Sequence, residues 1–393
     1  MILTTGIVCR LAFVFLTPIF YAPDEHSHLN YVKYVSEHGT FPVQKTKMGD
    51  PANEWEYFQP PLYYVALVPV YRAAQALFHN QTATVFVLRL VSVLLWLVNL
   101  RLGVLWLRQL EIKDELLCTT VLSLLCLLPT YAFISSVVNN DNLLATLGGG
   151  VVCLLTGREQ TVWTAIALGL LFGLALLVKQ SALVLAPAIV LTPLLCWWKN
   201  REQLAASLLR AGIAVCLGTA IYFPWALRNW HAYGTFFPEQ LSAVSKTWPS
   251  AAYGLASATH NLIKSFWSVS GIANDVGYPL AGIGIAFMVL TLFAVVRSRK
   301  GVDQSALLNQ PHFPVFAALG IAVAINACLV LRFGYVTGMG QGRHLFGLLF
   351  PIALGLAIGS RSLALQNTAA RVAGFWITYS VGFTVFSLCR FPH

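Results

Sequence analysis

The sequence predicts an all-α fold, a polytopic membrane bundle of about eleven spanning helices, from three observations. Only 10% of the 393 residues are charged and 57% are hydrophobic, whereas soluble domains carry roughly 25% charge. Mean hydropathy is +0.69. The apolar residues also fall into a ladder of runs, many of them near the ~20 residues that a helix needs to cross a bilayer.

Taken in order, the runs predict spans at 3–22, 83–107, 115–137, 142–157, 161–178, 181–198, 205–226, 279–297, 313–332, 344–360 and 372–390. The first run, Ile2 to Tyr21, is longer than a signal-peptide core and no A-x-A-like site follows it, so a retained span is expected. The run 60–78 opens with Pro60-Pro61, holds Pro69 and carries Arg72. Charge bias decides how it lies. With a cytoplasmic N-terminus and 60–78 at the interface, Arg108, Lys113, Arg158, Lys199, Arg201, Arg210, Arg297, Arg299, Lys300, Arg361 and Arg371 share the inner side. If 60–78 crossed, all of them would face outward. A juxtamembrane helix is therefore expected, with Tyr63, Tyr64 and Tyr71 suited to the headgroup level.

In this topology one domain, 1–393, has its polar chemistry on the outer face: the first external loop 23–82, the turn 139–142, Lys179-Gln180, the long loop 227–278 and 332–344. No soluble C-terminal domain and no internal repeat is expected. The net charge of +10 is scattered in short clusters between apolar runs, which reads as topology and excludes a nucleic-acid partner. The eight cysteines form no C-x-x-C pair, so neither a disulfide framework nor a zinc site is expected.

Where chemistry could sit is set by polar residues at the bilayer mouth. In "YAPDEHSHLNYVKYV" (21–35), Pro23 can start a helix, and Asp24 and Glu25 favour its first turn. Asp24 and His28, four apart, share a face. This stretch is either a capped surface helix with solvated charges or a general base oriented by a histidine. A metal at Asp24, His26 and His28 is the weaker reading, because His26 points elsewhere and no third ligand is evident. In "EWEYFQPPLYY" (54–64) a proline-started interfacial helix explains most residues but not Glu56 and Gln59. Asp141 in "NNDN" is either a helix cap or a second carboxylate for an acceptor, a sugar or a metal. Lys179 either snorkels to the interface or serves a site, and Arg89, two turns into its helix, raises the same question. Arg343 in "QGRHLF" suits two-point grip of a phosphate. The aromatic loop 227–278, with Arg228, either anchors at the interface or binds a sugar.

Together these pieces resemble the GT-C superfamily of membrane glycosyltransferases, which includes protein O-mannosyltransferases and lipid A aminoarabinose transferases. "PDEHSH" is similar to that superfamily's acidic motif in the first external loop, and "QPPLYY" to its K/H-PP-L juxtamembrane motif. "NNDN" is similar to its second external acid and "LRNWHAYG" to a segment after the seventh span. "QGRHLF" resembles "QGRYLFP" of predicted bacterial members. The resemblance spans roughly residues 1–360 and lies in the order and sidedness of short motifs.

The resemblance implies Asp24 as catalytic base, with Glu25 and His28 supporting it. Asp141 would be a second acid, joined by Glu56 and Gln59 at the acceptor or sugar. Arg343, Arg228 and Lys179 would hold the donor phosphate. Gln59 departs from the lysine of some members, which removes an ionic contact there. The implied reaction is inverting transfer of a sugar from a polyprenyl-phosphate donor to a hydroxyl of a glycan, lipid or protein acceptor. It would occur on the outer face of a bacterial cytoplasmic (inner) membrane. No cofactor is implied, and the available cations favour a metal-free site over a divalent metal. A transporter or flippase of lipid-linked saccharides is the rival, although inverted repeats and broken helices are not evident in the sequence.

Overall fold

Prolines, glycines and polar caps decide where the apolar runs stop. The computed structural model of the chain describes residues 1–44, 54–157, 160–200, 203–238, 245–268, 282, 312–363 and 369–389. Helix α1 (Ile2–Leu16) ends earlier than expected, at a bend over Thr17 and Pro18. The amphipathic α2 (Glu25–His38) stops at Gly39, which adopts the left-handed conformation that glycine tolerates. Next comes α3 (Leu62–Phe78), the helix expected to lie beside the membrane. In α4 (Gln81–Gln109) the start is capped by the Asn80 side chain, which accepts from the Ala83 amide.

The expected span 115–137 is broken into α5 (Glu115–Leu127) and α6 (Pro129–Ile134). The cause is local. Pro129 has no N–H for the Leu125 carbonyl, and the break also frees the Cys126 carbonyl. Trp96 Nε1 donates to Leu125 O at 3.0 Å, and Arg10 Nη1 donates to Cys126 O at 2.6 Å. Arg10 is fully buried in α1, with its guanidinium 3.6 Å above the Trp96 ring. The break turns the chain so that residues 135–140 lead into α7 (Asp141–Leu155).

After α8 (Val162–Val178), a 3₁₀ turn (Gln180–Leu185) leads into α9 (Ala186–Asn200). Helix α10 (Leu204–Tyr233) runs farther than expected, and α11 (Ala251–Trp267) occupies the middle of what reads as a loop in sequence. The chain continues through α12 (Phe313–Thr337), a 3₁₀ turn (Gly342–Leu348), α13 (Leu349–Leu363) and α14 (Ala369–Leu388). The expected span 279–297 lies outside the described residues.

Among the described residues there is no strand. By length and composition, five segments among the described residues are long and apolar enough to cross a membrane: Gln81–Gln109, Gln180–Lys199, Leu204–Tyr233, Phe313–Thr337 and Gly342–Gly359. Helices α1, α3, α5, α7 and α8 are shorter and also apolar. The fold is an all-α membrane bundle, and the chain is an integral, multi-pass membrane protein.

Tyr63 and Tyr64 depart from the sequence expectation. They are buried at 2% and 0% exposure and do not face a headgroup layer. Tyr64 stacks on Tyr31 of α2 with ring centroids 3.7 Å apart, so the aromatic pair welds α3 to α2.

Helix α7 and the 342–348 turn meet backbone to backbone. A Cβ at Gly148 would collide with the Gly347 carbonyl oxygen, so only glycine permits this approach. The contact sets the distance between Asp141, at the head of α7, and Arg343. Replacing Gly148 by valine is expected to lower stability by about 1–3 kcal/mol through overpacking, read as a fall in melting temperature in detergent.

Candidate active site

Five segments distant in sequence place charged side chains at one end of the bundle. Asp24 stands immediately before α2 with φ 63° and ψ 0°, a left-handed conformation that aspartate tolerates better than most residues. It therefore does not sit within the first helical turn as the sequence suggested, and it makes no side-chain cap. Its carboxylate is turned instead towards the 342–348 turn. Arg343 Nη2 donates to Asp24 Oδ2 at 2.6 Å. Arg343 Nε lies 3.9 Å from Asp141 Oδ2. Lys179, the residue that ends α8, donates from Nζ to Asp141 Oδ1 at 2.6 Å.

Asp24, Asp141, Arg343 and Lys179 thus form one chain of alternating charge. Most of it is buried, with side-chain exposures of 24%, 2%, 9% and 12% respectively. The Asp141 amide donates to Asn139 Oδ1 at 2.8 Å, which fixes the turn leading into α7. Burial alone would raise the Asp24 carboxyl. The Arg343 guanidinium, with Lys179 adding to it, outweighs burial and holds Asp24 below the usual carboxylate range.

Arg343 owes its position to α11. The Gly342 amide donates to Ser265 Oγ at 2.7 Å, and Asn261 Nδ2 donates to Gly340 O at 2.8 Å. A Cβ at Gly342 would strike the Phe266 backbone. Loop 227–278 therefore contributes a helix that braces the arginine. Its Trp267 is fully buried and stacks against Trp376, an internal role that the aromatic composition alone did not reveal.

The segment 54–59 brings Glu56 within electrostatic reach of Asp24, Asp141, Lys179 and Arg343. Two turn bonds shape it, Tyr57 N to Glu54 O and Gln59 N to Glu56 O, each 3.0 Å. Tyr31 OH donates to Gln59 O at 3.1 Å and fastens the segment to α2. Gln59 is buried at that joint. The Glu56 carboxyl is 6% exposed, and its Oε2 has no hydrogen-bond partner. Burial, then the Asp24 and Asp141 carboxylates, push it up to about 8 against the pull of Lys179 and Arg343.

Several sequence expectations are corrected here. Glu25 does not face the charge chain. Its two oxygens accept from Arg89 Nε at 2.8 Å, Arg89 Nη2 at 2.6 Å, Phe20 N at 3.1 Å and Val138 N at 3.1 Å, and both partners of the ion pair are fully buried. This carboxylate holds the scaffold. Arg228 is also engaged elsewhere. It donates to Pro42 O and Asn229 Oδ1 and lies over the Trp225 ring, so it fastens the first long loop to α10. His28 is buried, and its Nδ1 lies 3.1 Å from Tyr64 OH. Burial pushes its imidazole down to about 3, only partly offset by Asp24, so it is neutral at physiological pH.

His344 is a site neighbour that the sequence reading passed over, and it acts electrostatically on Asp141. Its position beside Arg343 was the only available signal. Among the described residues no group of three His, Cys, Asp or Glu side chains could hold a metal ion.

Within this cluster Arg343 Nε and Nη1, Asp141 Oδ2 and Glu56 Oε2 are buried without a hydrogen-bond partner. Such a concentration is costly for folding; the two guanidinium N–H groups suit an anionic acceptor, and the two carboxyl oxygens suit a hydroxyl or other donor.

No protein-family model and no curated protein matches the chain. Solved structures do. ArnT from Cupriavidus metallidurans in the apo state superposes with a TM-score of 0.58 at 13% identity, covering 99% of this chain and 75% of that one. The same protein bound to undecaprenyl phosphate gives 0.54 at 13% identity with the same coverage. The archaeal oligosaccharyltransferase AglB from Archaeoglobus fulgidus, in complex with an inhibitory peptide and a dolichol-phosphate, gives 0.51 at 14% identity. That match covers 99% of this chain and 55% of AglB, so the chain corresponds to about half of that enzyme's length. The fold is GT-C-like.

Proposed function

We propose that the chain is a membrane glycosyltransferase that moves a sugar from a polyprenyl-phosphate donor to an acceptor hydroxyl, inverting the anomeric configuration. One observation carries the reading. Arg343 is buried between two carboxylates, and its Nε and Nη1 hydrogens are unclaimed. A guanidinium in that state suits a phosphate, which can accept two parallel hydrogen bonds. The lipid phosphates in the ArnT and AglB structures support the same class of donor.

Asp24 takes the proton of the acceptor hydroxyl as its oxygen attacks the anomeric carbon. The bond from that carbon to the phosphate oxygen breaks, and the electron pair leaves on the phosphate. Arg343 and Lys179 neutralise the charge that develops there. In the resting site Arg343 Nη2 pairs with Asp24. A phosphate that draws on the guanidinium weakens this pair and makes Asp24 a stronger base when the donor is present. Asp141 keeps Lys179 and Arg343 in register. Glu56 and Gln59 line the donor or acceptor side. The acceptor is a glycan, lipid or protein hydroxyl, and the sidedness of the basic loops in the sequence supports a site on the outer face of the membrane, in this reading a bacterial inner membrane.

The test uses purified protein, a panel of synthetic polyprenyl-phosphate sugars and simple hydroxyl acceptors, and follows release of free polyprenyl phosphate. Wild type is expected to release it, and Arg343→Gln to release it about 10²–10³-fold more slowly. Transport of the intact lipid-linked sugar across a vesicle membrane, with no release, would replace this reading with a flippase.

A further inference from the structure

The charge chain is balanced without Glu56. Asp24 pairs with Arg343, and Asp141 pairs with Lys179. A phosphodiester entering this site meets two cations already matched by two carboxylates. An ionised Glu56 would leave the site net negative towards an anionic ligand. A neutral Glu56 would not, and it would add a hydrogen-bond donor.

Three observations point to the neutral form. Glu56 is 6% exposed, its Oε2 has no hydrogen-bond partner, and among the described residues no cation pairs with it as Arg343 pairs with Asp24. The turn bonds at 54–59 and the Tyr31 hydroxyl hold the segment in place. The groups acting on the carboxyl are Asp24, Asp141, Lys179 and Arg343, and it in turn acts on Tyr31 and Tyr64. None of the latter two adds a positive charge, and His28, on the same helix as Tyr31, is neutral.

Resting on the reading of a lipid-phosphate donor, we propose that Glu56 is a further donor-binding residue, a carboxylic acid that stays protonated and donates its hydrogen to a phosphate oxygen. It complements Arg343, so the phosphate is held by one charged and one neutral donor. The consequence is a pH limit. Glu56 is neutral below about 8 and ionised above it, so donor binding is intact at neutral pH and weakens as pH rises through that value. Above it, the ionised carboxylate repels the phosphate and no longer donates.

The experiment measures binding of a synthetic polyprenyl phosphate methyl ester to the full chain in nanodiscs between about pH 6.5 and 9.5. This diester carries one negative charge throughout the range, so the ligand contributes no titration. Wild type is expected to lose about fivefold or more in affinity across the range, the scale of repulsion between unit charges a few ångströms apart in a wet site. Glu56→Gln is expected to give a flat profile whatever its absolute affinity. Glu56→Ala should also be flat, and weaker than Glu56→Gln because it has no donor. A Glu56→Gln profile that falls like wild type overturns the role, as does a flat wild-type profile. Failure of wild type to bind the ester at any pH overturns the lipid-phosphate reading itself, and the role with it.

Discussion

Asp24→Asn leaves the bundle intact and lowers release of polyprenyl phosphate by about 10²–10⁴-fold, the usual contribution of a general base. The substitution is close to isosteric. Asparagine tolerates the left-handed conformation at this position, and its amide oxygen can still accept from Arg343 Nη2. What disappears is the charge and the capacity to take a proton. The pH dependence follows from the same geometry. Arg343 overrides burial and holds the Asp24 carboxyl below the ordinary carboxylate range. The active carboxylate is therefore present at neutral pH and is lost only as pH falls through that lowered value. The acidic limb of kcat/KM, which reports the donor-free site, should lie below the usual carboxylate range and the limb of kcat at higher pH than that, while donor binding weakens on the basic side through Glu56. Initial rates of lipid-phosphate release across this range check the prediction. A variant with wild-type rates would remove Asp24 from the mechanism.

How much of this was visible in the sequence depends on the range of the interaction. The ladder of apolar runs carried the fold, because burial in lipid imposes length and composition on each helix separately. Clustering of Asp24, Asp141, Lys179 and Arg343 followed from sidedness, since polar residues at alternate helix ends share a face of the bundle. Pairing did not follow. Arg343 and Asp24 are 319 residues apart, and no local pattern states which carboxylate an arginine will meet. Glu25 shows a different failure. It adjoins Asp24, but Asp24 stands before α2 in the left-handed conformation while Glu25 is the first helical residue, so one carboxylate enters the site and the other enters the core. Arg228 was assigned by its motif, yet the Pro42 carbonyl and the Trp225 ring claim its guanidinium. The break at Pro129 could have been read from the proline. The Trp96 and Arg10 side chains that make it tolerable could not.

Glu25 and Arg89 carry the largest stability effect expected in the molecule. The Arg89 guanidinium donates to both Glu25 oxygens and to the carbonyls of Val14, Thr17 and Pro18. Glu25 also receives the Phe20 and Val138 amides. One buried pair thus ties the end of α1, the approach to Asp24 and the turn before Asp141. Removing either partner alone strands the other charge without solvent, a loss of about 3–5 kcal/mol. Glu25→Ala and Arg89→Ala should each lower the melting temperature sharply, and the double variant should cost less than the two single effects together. Backbone groups left unpaired will keep it below wild type. Glu25→Gln separates scaffold from chemistry. It keeps the shape and one acceptor oxygen but not the charge, so its activity should fall with its melting temperature and recover on cooling. Normal melting with abolished turnover would mean that Glu25 acts on the substrate. Its four donors argue against that, because they leave no lone pair aimed at the space beside Asp24.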